Sequence, residues 1–216
     1  CLRLIYANND KLYLPVENLE LISRFGSEES NVTLDKLGGL GWQTRKANIK
    51  GKIKEIAAEL IQIAAERELK KGLVLPKPQM YEEFCASFPF NETEDQSRAI
   101  DETISSLSMG RPMDRLICGD VGFGKTEVAL RAAFVTSMND YQVAVIVPTT
   151  LLAKQHFNTF KERFSDLPIE IKQISRLISP SDNRCVRSGI ASGKINIVIG
   201  THALLTKEIK FSNLGL

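Results

Sequence analysis

Residues 119–126 read Gly-Asp-Val-Gly-Phe-Gly-Lys-Thr, a complete G-x-x-x-x-G-K-[ST] phosphate-binding pattern. An apolar stretch over 115–118 precedes it and a helical pattern over 127–134 follows it. Backbone N–H groups of such a loop converge on phosphate oxygens, and the next helix directs the positive end of its dipole towards them. The alternative interpretation is a glycine-rich turn that only joins a strand to a helix.

The last two side chains of the pattern have the chemistry that a nucleoside triphosphate and Mg²⁺ need. The ammonium group of Lys125 would reach the β- and γ-phosphates, and the hydroxyl of Thr126 would ligate Mg²⁺. We predict these two residues as catalytic, with ATP and Mg²⁺ as cofactors. The predicted nucleotide contacts within the loop are Gly119, Asp120, Val121, Gly122, Phe123, Gly124, Lys125, Thr126 and Glu127.

Composition indicates a globular protein. The 216 residues are 43% hydrophobic and 25% charged, and the net charge of +2 is too small to indicate a nucleic-acid partner by itself. The four cysteines have no metal-binding spacing, which predicts a reducing compartment, the cytoplasm. No apolar stretch is long enough to span a membrane, so no membrane partner is predicted. Because the chain begins with Cys1 instead of Met, we expect it to be part of a longer protein.

The first two segments of the chain differ in pattern. Residues 1–25 alternate as in β-structure, with strands predicted at 2–6, 11–14 and 19–22. Residues 26–79 contain a polar loop, a helix predicted over 42–71 and a proline-containing linker. The first half of that helix is basic, which fits either a ridge that faces phosphates or a partner, or an ordinary solvated face.

The third segment, residues 80–216, alternates between strand and helix patterns. Such alternation predicts a parallel sheet with helical crossovers, and a phosphate loop after an early strand makes it a RecA-like P-loop domain. Helices are predicted at 94–107, 125–138, 150–163 and 181–191. Strands are predicted at 115–118, 143–147, 169–174, 195–199 and 208–211.

Residues 88–96 read Phe-Pro-Phe-Asn-Glu-Thr-Glu-Asp-Gln and resemble the adenine-reading Q motif of superfamily-2 helicases. Phe90 would stack on the base, and Gln96 offers donors and an acceptor that match the N6/N7 edge of adenine. We therefore predict Phe90, Thr93 and Gln96 as nucleotide contacts. The same residues also fit a helix start, with Thr93 as the N-cap, Gln96 as its capping-box partner and Phe90 in the core, and both interpretations can hold together.

Polar or basic turns follow three of the predicted strands. Because the carboxyl ends of parallel strands meet at one edge of a sheet, these turns are expected to lie close together. Hydroxyl and N–H groups at helix starts bind phosphates, although threonine capping and a structural role for the histidine remain alternatives. We predict a nucleic-acid track formed by Thr149, Thr150, Lys154, Gln155, Ser175, Arg176, Gly200, Thr201 and His202.

Residues 112–134, 148–156 and 200–205 together resemble the bacterial transcription-repair coupling factors. RecG-like helicases share the phosphate loop, the Pro-Thr-Thr turn and the Gly-Thr-His turn. The N-terminal part separates the two families, because residues 6–16 and 21–42 contain stretches that resemble an RNA polymerase-interacting domain that RecG-like helicases lack.

This resemblance implies an α/β fold class: an incomplete RecA-like P-loop domain with a parallel sheet over 80–216, preceded by a partial Tudor-like β-barrel over 1–25 and a connector helix within 26–79. It implies an ATP-dependent double-stranded DNA translocase of the bacterial cytoplasm. Such a protein contacts the β subunit of RNA polymerase, displaces the stalled enzyme and recruits excision-repair proteins, in this family through segments outside this chain.

The resemblance also implies two parts of the motor that residues 1–216 lack. An Asp-Glu pair that holds Mg²⁺ is expected just beyond residue 216, and an arginine finger is expected on a second motor domain. Since an arginine finger alone is worth roughly 10³–10⁵ in rate, we expect undetectable turnover from the chain alone. A RecG-like helicase and a non-enzymatic RNA polymerase-binding module with an idle P-loop domain remain the alternatives.

Overall fold

The computed structural model describes residues 1–23, 34, 36–38, 40–174 and 180–216. Contacts divide the chain into two compact units, Cys1–Glu66 and Arg67–Leu216. From the sequence we predicted domain boundaries between residues 25 and 26 and between residues 79 and 80. These boundaries stay a prediction.

The first unit begins with an antiparallel hairpin of β1 (Leu2–Ile5) and β2 (Lys11–Leu14). Asn8 and Asn9 adopt positive φ angles of 62° and 64° in the turn, a conformation that asparagine tolerates better than most residues. The strand predicted at 19–22 is wrong, because Val16–Leu21 forms 3₁₀ turns. Pro15 stands directly before these turns and has no N–H group with which to continue the ladder of β2.

The predicted connector helix is present as α1 (Leu40–Leu69). Among the described residues its isoleucine and leucine stripe is exposed. The five side chains of the stripe are each 45–60% exposed: Ile49, Ile53, Ile56, Leu60 and Ile63. None of the helices in the described ranges has both the length and the apolar character that a membrane span requires.

The second unit contains a three-stranded parallel sheet, which confirms the predicted α/β class. Its strands are β3 (Val143–Ile146), β4 (Ile171–Ile174) and β5 (Ile197–Gly200), in the order β3-β5-β4. On the other side of β3, the segment 213–216 runs parallel to it. Leu214 forms a bridge with Gln142, and the Ala144 N–H donates to the Leu216 carbonyl at 2.8 Å.

Besides the end of α1, the described residues of this unit form the helices α2 (Tyr81–Ala86), α3 (Glu94–Ser108), α4 (Lys125–Met138), α5 (Thr150–Arg163) and α6 (Pro180–Ala191). The predictions for α3 to α6 are confirmed to within one residue at each end. The buried side chains of β5 alternate between two clusters. Ile197 and Ile199 join the cluster built around α4, whereas Val198 joins the cluster that contains Ile190 of α6.

Two predicted strands do not form. Residues 115–118 are extended but pair with no strand in the described part of the chain, and Arg115 instead binds Glu102 of α3 at 2.5 Å. An apolar pocket of about 420 Å³ separates Met113 and Ile117 from β3, so the hydrogen-bonded neighbour that a strand requires is absent at this place. Residues 208–211 are likewise unpaired, and the chain reaches the sheet only at 213–216.

The side chain of Gln142 ties the segment 213–216 to the rest of the sheet. It is 4% exposed, and its Nε2 donates to the carbonyls of Ile190 and Ile195 at 3.0 and 2.7 Å. Its Oε1 accepts from the N–H groups of Ser212 and Asn213 at 2.9 and 3.0 Å. One amide therefore satisfies four backbone groups from three segments of the chain.

Replacing Gln142 with leucine is expected to lower the free energy of unfolding by about 3 kcal/mol, because buried backbone groups lose their partners while the side-chain volume is nearly kept. Urea unfolding at 25 °C measures this effect. The exposed Gln155 of the same unit provides the matched control, and Gln155→Leu should stay within about 0.5 kcal/mol of the wild type. Equal stability of the two variants would contradict a structural role for the Gln142 amide.

Candidate nucleotide site and nucleic-acid interface

The phosphate-binding pattern forms a loop that ends at the first residue of α4. Gly122 and Gly124 adopt positive φ angles of 86° and 65°, and Gly124 is the N-cap residue of the helix. A Cβ atom at 124 would also lie 2.4 Å from Nε2 of Gln96, so the Gln96 side chain would have to move. The N-terminus of a 14-residue helix therefore points its free N–H groups and its dipole into the loop.

The ammonium group of Lys125 closes the loop on itself. Its Nζ donates to the carbonyls of Gly119 and Asp120 at 2.7 and 2.5 Å. These carbonyls hold the cation next to the helix start, where an anion would be bound. Thr126 follows in the first turn of α4 and is half-buried, and its hydroxyl could serve as one ligand of a hydrated Mg²⁺. The hydrophobic loop residues Val121 and Phe123 point outwards, at 99% and 63% exposure.

Two of the predicted adenine contacts, Thr93 and Gln96, form the start of α3, and Gln96 also contacts the loop. Thr93 caps α3 in a full capping box with Gln96, whose Oε1 accepts from the Thr93 N–H at 2.8 Å. The Nε2 of Gln96 also donates to the carbonyl of Phe123 at 3.0 Å. The helix-start interpretation is thus confirmed. The same amide keeps one free donor hydrogen and one free lone pair, so its predicted contact with adenine stays a prediction.

The third predicted contact, Phe90, lies at a separate pocket of about 460 Å³, which we call the Phe90 pocket. Phe90 is 71% exposed and packs edge-on against Phe88, so its predicted alternative role in the core is wrong. The pocket runs beside the first turns of α4 and reaches the end of α5. Its lining includes Phe88, Phe90, Glu127, Leu130, Thr159 and Arg163.

Glu127 belongs to a buried ion cluster, and its predicted contact with the nucleotide stays a prediction. It is 4% exposed, and its Oε1 accepts from Arg131 Nε at 2.8 Å and from Arg163 Nη2 at 3.2 Å. Arg131 also pairs with Glu92, and that hydrogen bond holds the pKa of Glu92 below its ordinary value. The cluster joins α4 to α5 and to the segment before α3.

Sequence reasoning missed Glu92, Arg131, Arg163 and Gln142. The i,i+4 spacing of Glu127 and Arg131 was a visible signal of an ion pair on α4. No local pattern indicated that Arg163, 36 residues away from Glu127, would join it. The wide separation of Gln142 from Ser212 likewise left no signal in the sequence.

Most of the predicted nucleic-acid residues gather at one edge of the sheet. Ile146 of β3 and Ile174 of β4 both pair with Gly200, so the turns after the three strands start side by side. Thr149 caps α5 by accepting from the Leu152 N–H at 3.2 Å, with Thr150 next to it. Lys154, Gln155 and His202 are exposed, whereas Thr201 is buried. Ser175 and Arg176 lie outside the described residues, and all of these DNA contacts stay predictions.

No group of three or more His, Cys, Asp or Glu side chains that could hold a metal occurs among the described residues. Mg²⁺ can also be held mainly by phosphates and water, with a single side chain of the protein as a ligand. Thr126 fits that role. When bound, the ion would neutralise charge on the transferred phosphoryl group.

Comparison with known proteins matches residues 93–216 to the family model described as DEAD/DEAH box helicase. Over its full length the chain is 54% identical to the transcription-repair-coupling factor of Rickettsia bellii, 49% to that of Escherichia coli and 46% to that of Bacillus subtilis. The chain spans only 20%, 19% and 18% of the lengths of these relatives.

Among solved structures, the chain resembles RecG bound to a three-way DNA junction, with a TM-score of 0.67 and 33% sequence identity. The match covers 93% of this chain and 28% of RecG. The identity is lower than that to the coupling factors.

Proposed function

The chain belongs to the DEAD/DEAH box helicase family, and from this premise we propose that it forms part of an ATP-dependent double-stranded DNA translocase of the transcription-repair-coupling type. The observation that carries the proposal is the phosphate loop, complete in sequence and built on the start of α4, in a chain 46–54% identical to coupling factors from end to end. The proposed substrate is ATP with Mg²⁺, bound through Lys125 and Thr126. The proposed location is the bacterial cytoplasm.

The nucleotide phosphates meet the N-terminus of α4. The loop N–H groups orient the phosphates, and Lys125 exchanges the carbonyls of Gly119 and Asp120 for phosphate oxygens. Gln96 holds the carbonyl of Phe123 and so keeps the loop in place. The base then lies beside α4, against Phe90, whose exposed ring supplies a stacking surface.

Double-stranded DNA is the proposed track, held at the sheet edge by Thr149, Thr150, Lys154, Gln155 and His202. The hydroxyls, the N–H groups at the start of α5 and the exposed cation suit phosphate contacts, which a motor that accepts every sequence needs.

RNA polymerase is the proposed second partner, through its β subunit, with excision-repair proteins recruited by other parts of the protein. The hairpin β1–β2 supports this proposal, because Ile5 and Tyr13 are 49% and 60% exposed and an unpaired strand edge is a ready pairing surface.

One experiment separates the candidate functions. The longer protein is added with ATP to RNA polymerase stalled on duplex DNA, and in a second arm to a duplex that carries a triplex-forming strand. A coupling factor releases both the polymerase and the third strand. Release of the third strand alone favours the RecG-like helicase, which the structural similarity keeps as the second candidate. If the protein binds RNA polymerase but releases neither the polymerase nor the third strand, the result favours the non-enzymatic polymerase-binding module.

A further inference from the structure

Arg163, the last residue of α5, has hydrogen-bonding capacity that the described protein does not use. Its side chain is 10% exposed, and only Nη2 has an acceptor, the Glu127 carboxylate at 3.2 Å. The Nε and Nη1 atoms are buried, and within the described ranges neither has a partner. The guanidinium lies over the ring of Phe84, 4.2 Å from its centroid, a contact that satisfies neither N–H group.

Buried donors without acceptors are rare in folded proteins, because each loses its water without compensation. The guanidinium also forms part of the wall of the Phe90 pocket, which is open to solvent on its other side. A ligand group with acceptor atoms in one plane would restore the missing partners. The ring nitrogens of a purine are such acceptors.

The pocket lies within reach of a nucleotide bound at the loop. Leu130, which lines the pocket, follows Thr126 by four residues, a distance of about 6 Å along the helix axis. A nucleotide whose phosphates rest on the start of α4 can therefore extend its base beside the first turns of the same helix. Phe90 then offers one face of the pocket for stacking.

We propose that Arg163 contacts the purine base of the bound nucleotide, with Nε or Nη1 donating to a ring nitrogen while Nη2 keeps its bond to Glu127. Both atoms are covered by protein in this structure, so the proposal includes a rotation of the guanidinium towards the pocket when the base enters. This inference rests on the proposed nucleotide site and adds a base-contacting residue outside the Q-motif pattern.

The test compares two ligands that share phosphates and differ in the base. Isothermal titration calorimetry with Mg²⁺ measures the dissociation constants of ATP and of inorganic tripolyphosphate for the wild type and for Arg163→Met. Methionine keeps the packing on Phe84 and cannot donate. The ATP affinity should fall about tenfold or more, as for the loss of a hydrogen bond to a charged group, while the tripolyphosphate affinity changes less than about twofold.

Arg111→Met, at an arginine 70% exposed in the same unit, is the matched control and should change neither constant. Arg163→Leu, which also lacks a donor and leaves Glu127 paired with Arg131, provides a second variant if Arg163→Met does not fold. With either variant, an equal loss for both ligands, or an unchanged ATP affinity in a folded protein, overturns the proposal. Failure of the wild type to bind either ligand in a Lys125-dependent way overturns the proposed nucleotide site as well.

Discussion

Replacing Lys125 with alanine is expected to reduce ATP hydrolysis to background, a loss of at least about a hundredfold. Phosphoryl transfer depends mainly on positioned charge, and Lys125 is the cation of the loop itself. Its ammonium group already lies beside the start of α4, held by the carbonyls of Gly119 and Asp120. A bound triphosphate therefore meets a charge that is positioned before the reaction begins.

Phosphate release measures this effect in a longer chain that carries the Asp-Glu pair expected beyond residue 216. Lys194→Ala removes an exposed lysine distant in sequence from the loop and should leave the rate unchanged. Hydrolysis by Lys125→Ala at close to the wild-type rate would contradict the assignment of the loop.

DNA binding by such a longer chain is expected to weaken steeply with salt. If the sheet edge neutralises about four phosphates, the affinity should fall about a hundredfold between 50 and 200 mM salt. Fluorescence anisotropy with duplexes of two unrelated sequences measures both the slope and the sequence preference. His202→Ala should weaken binding to both duplexes equally, because a phosphate contact carries no sequence information.

A matched variant tests the location of this surface. Lys172→Ala removes another exposed lysine, on β4, that already pairs with Glu170 at 2.6 Å, so DNA affinity should hardly change. Affinity that does not depend on salt, or a strong preference for one duplex, would contradict the proposed track.

Local signals in the sequence predicted α3, α4 and α5 because the start of each is encoded by neighbouring residues, whereas α2 was not predicted. Thr93 and Gln96 form the capping box of α3, Thr149 caps α5, and Gly124 supplies the left-handed residue before α4. Each of these signals spans only a few positions of the sequence, and each lies at the start of its helix in the structure.

Strands were less predictable, because a strand depends on a neighbour that the local sequence does not show. Of residues 115–118 only Ile117 packs against the core, Leu116 is 86% exposed, and the stretch has no pairing strand among the described residues. The segment 213–216 has a weaker pattern and does pair with β3. The same limit applies to the site, where the loop was evident from the sequence but the ion cluster that joins Glu127 to Arg163 was not.

The pairing of Leu214 with Gln142 also sets an order of events during synthesis. When Gln142 leaves the ribosome, its four backbone partners have not been made, since they lie between residues 190 and 213. Until then one side of β3 remains an open edge, and parallel pairings between distant segments close slowly. Emerging chains therefore expose this edge while about seventy more residues are added. This takes from a few seconds to about fifteen seconds. During that interval the chain is most prone to aggregation or in need of a chaperone, whatever the stability of the finished domain.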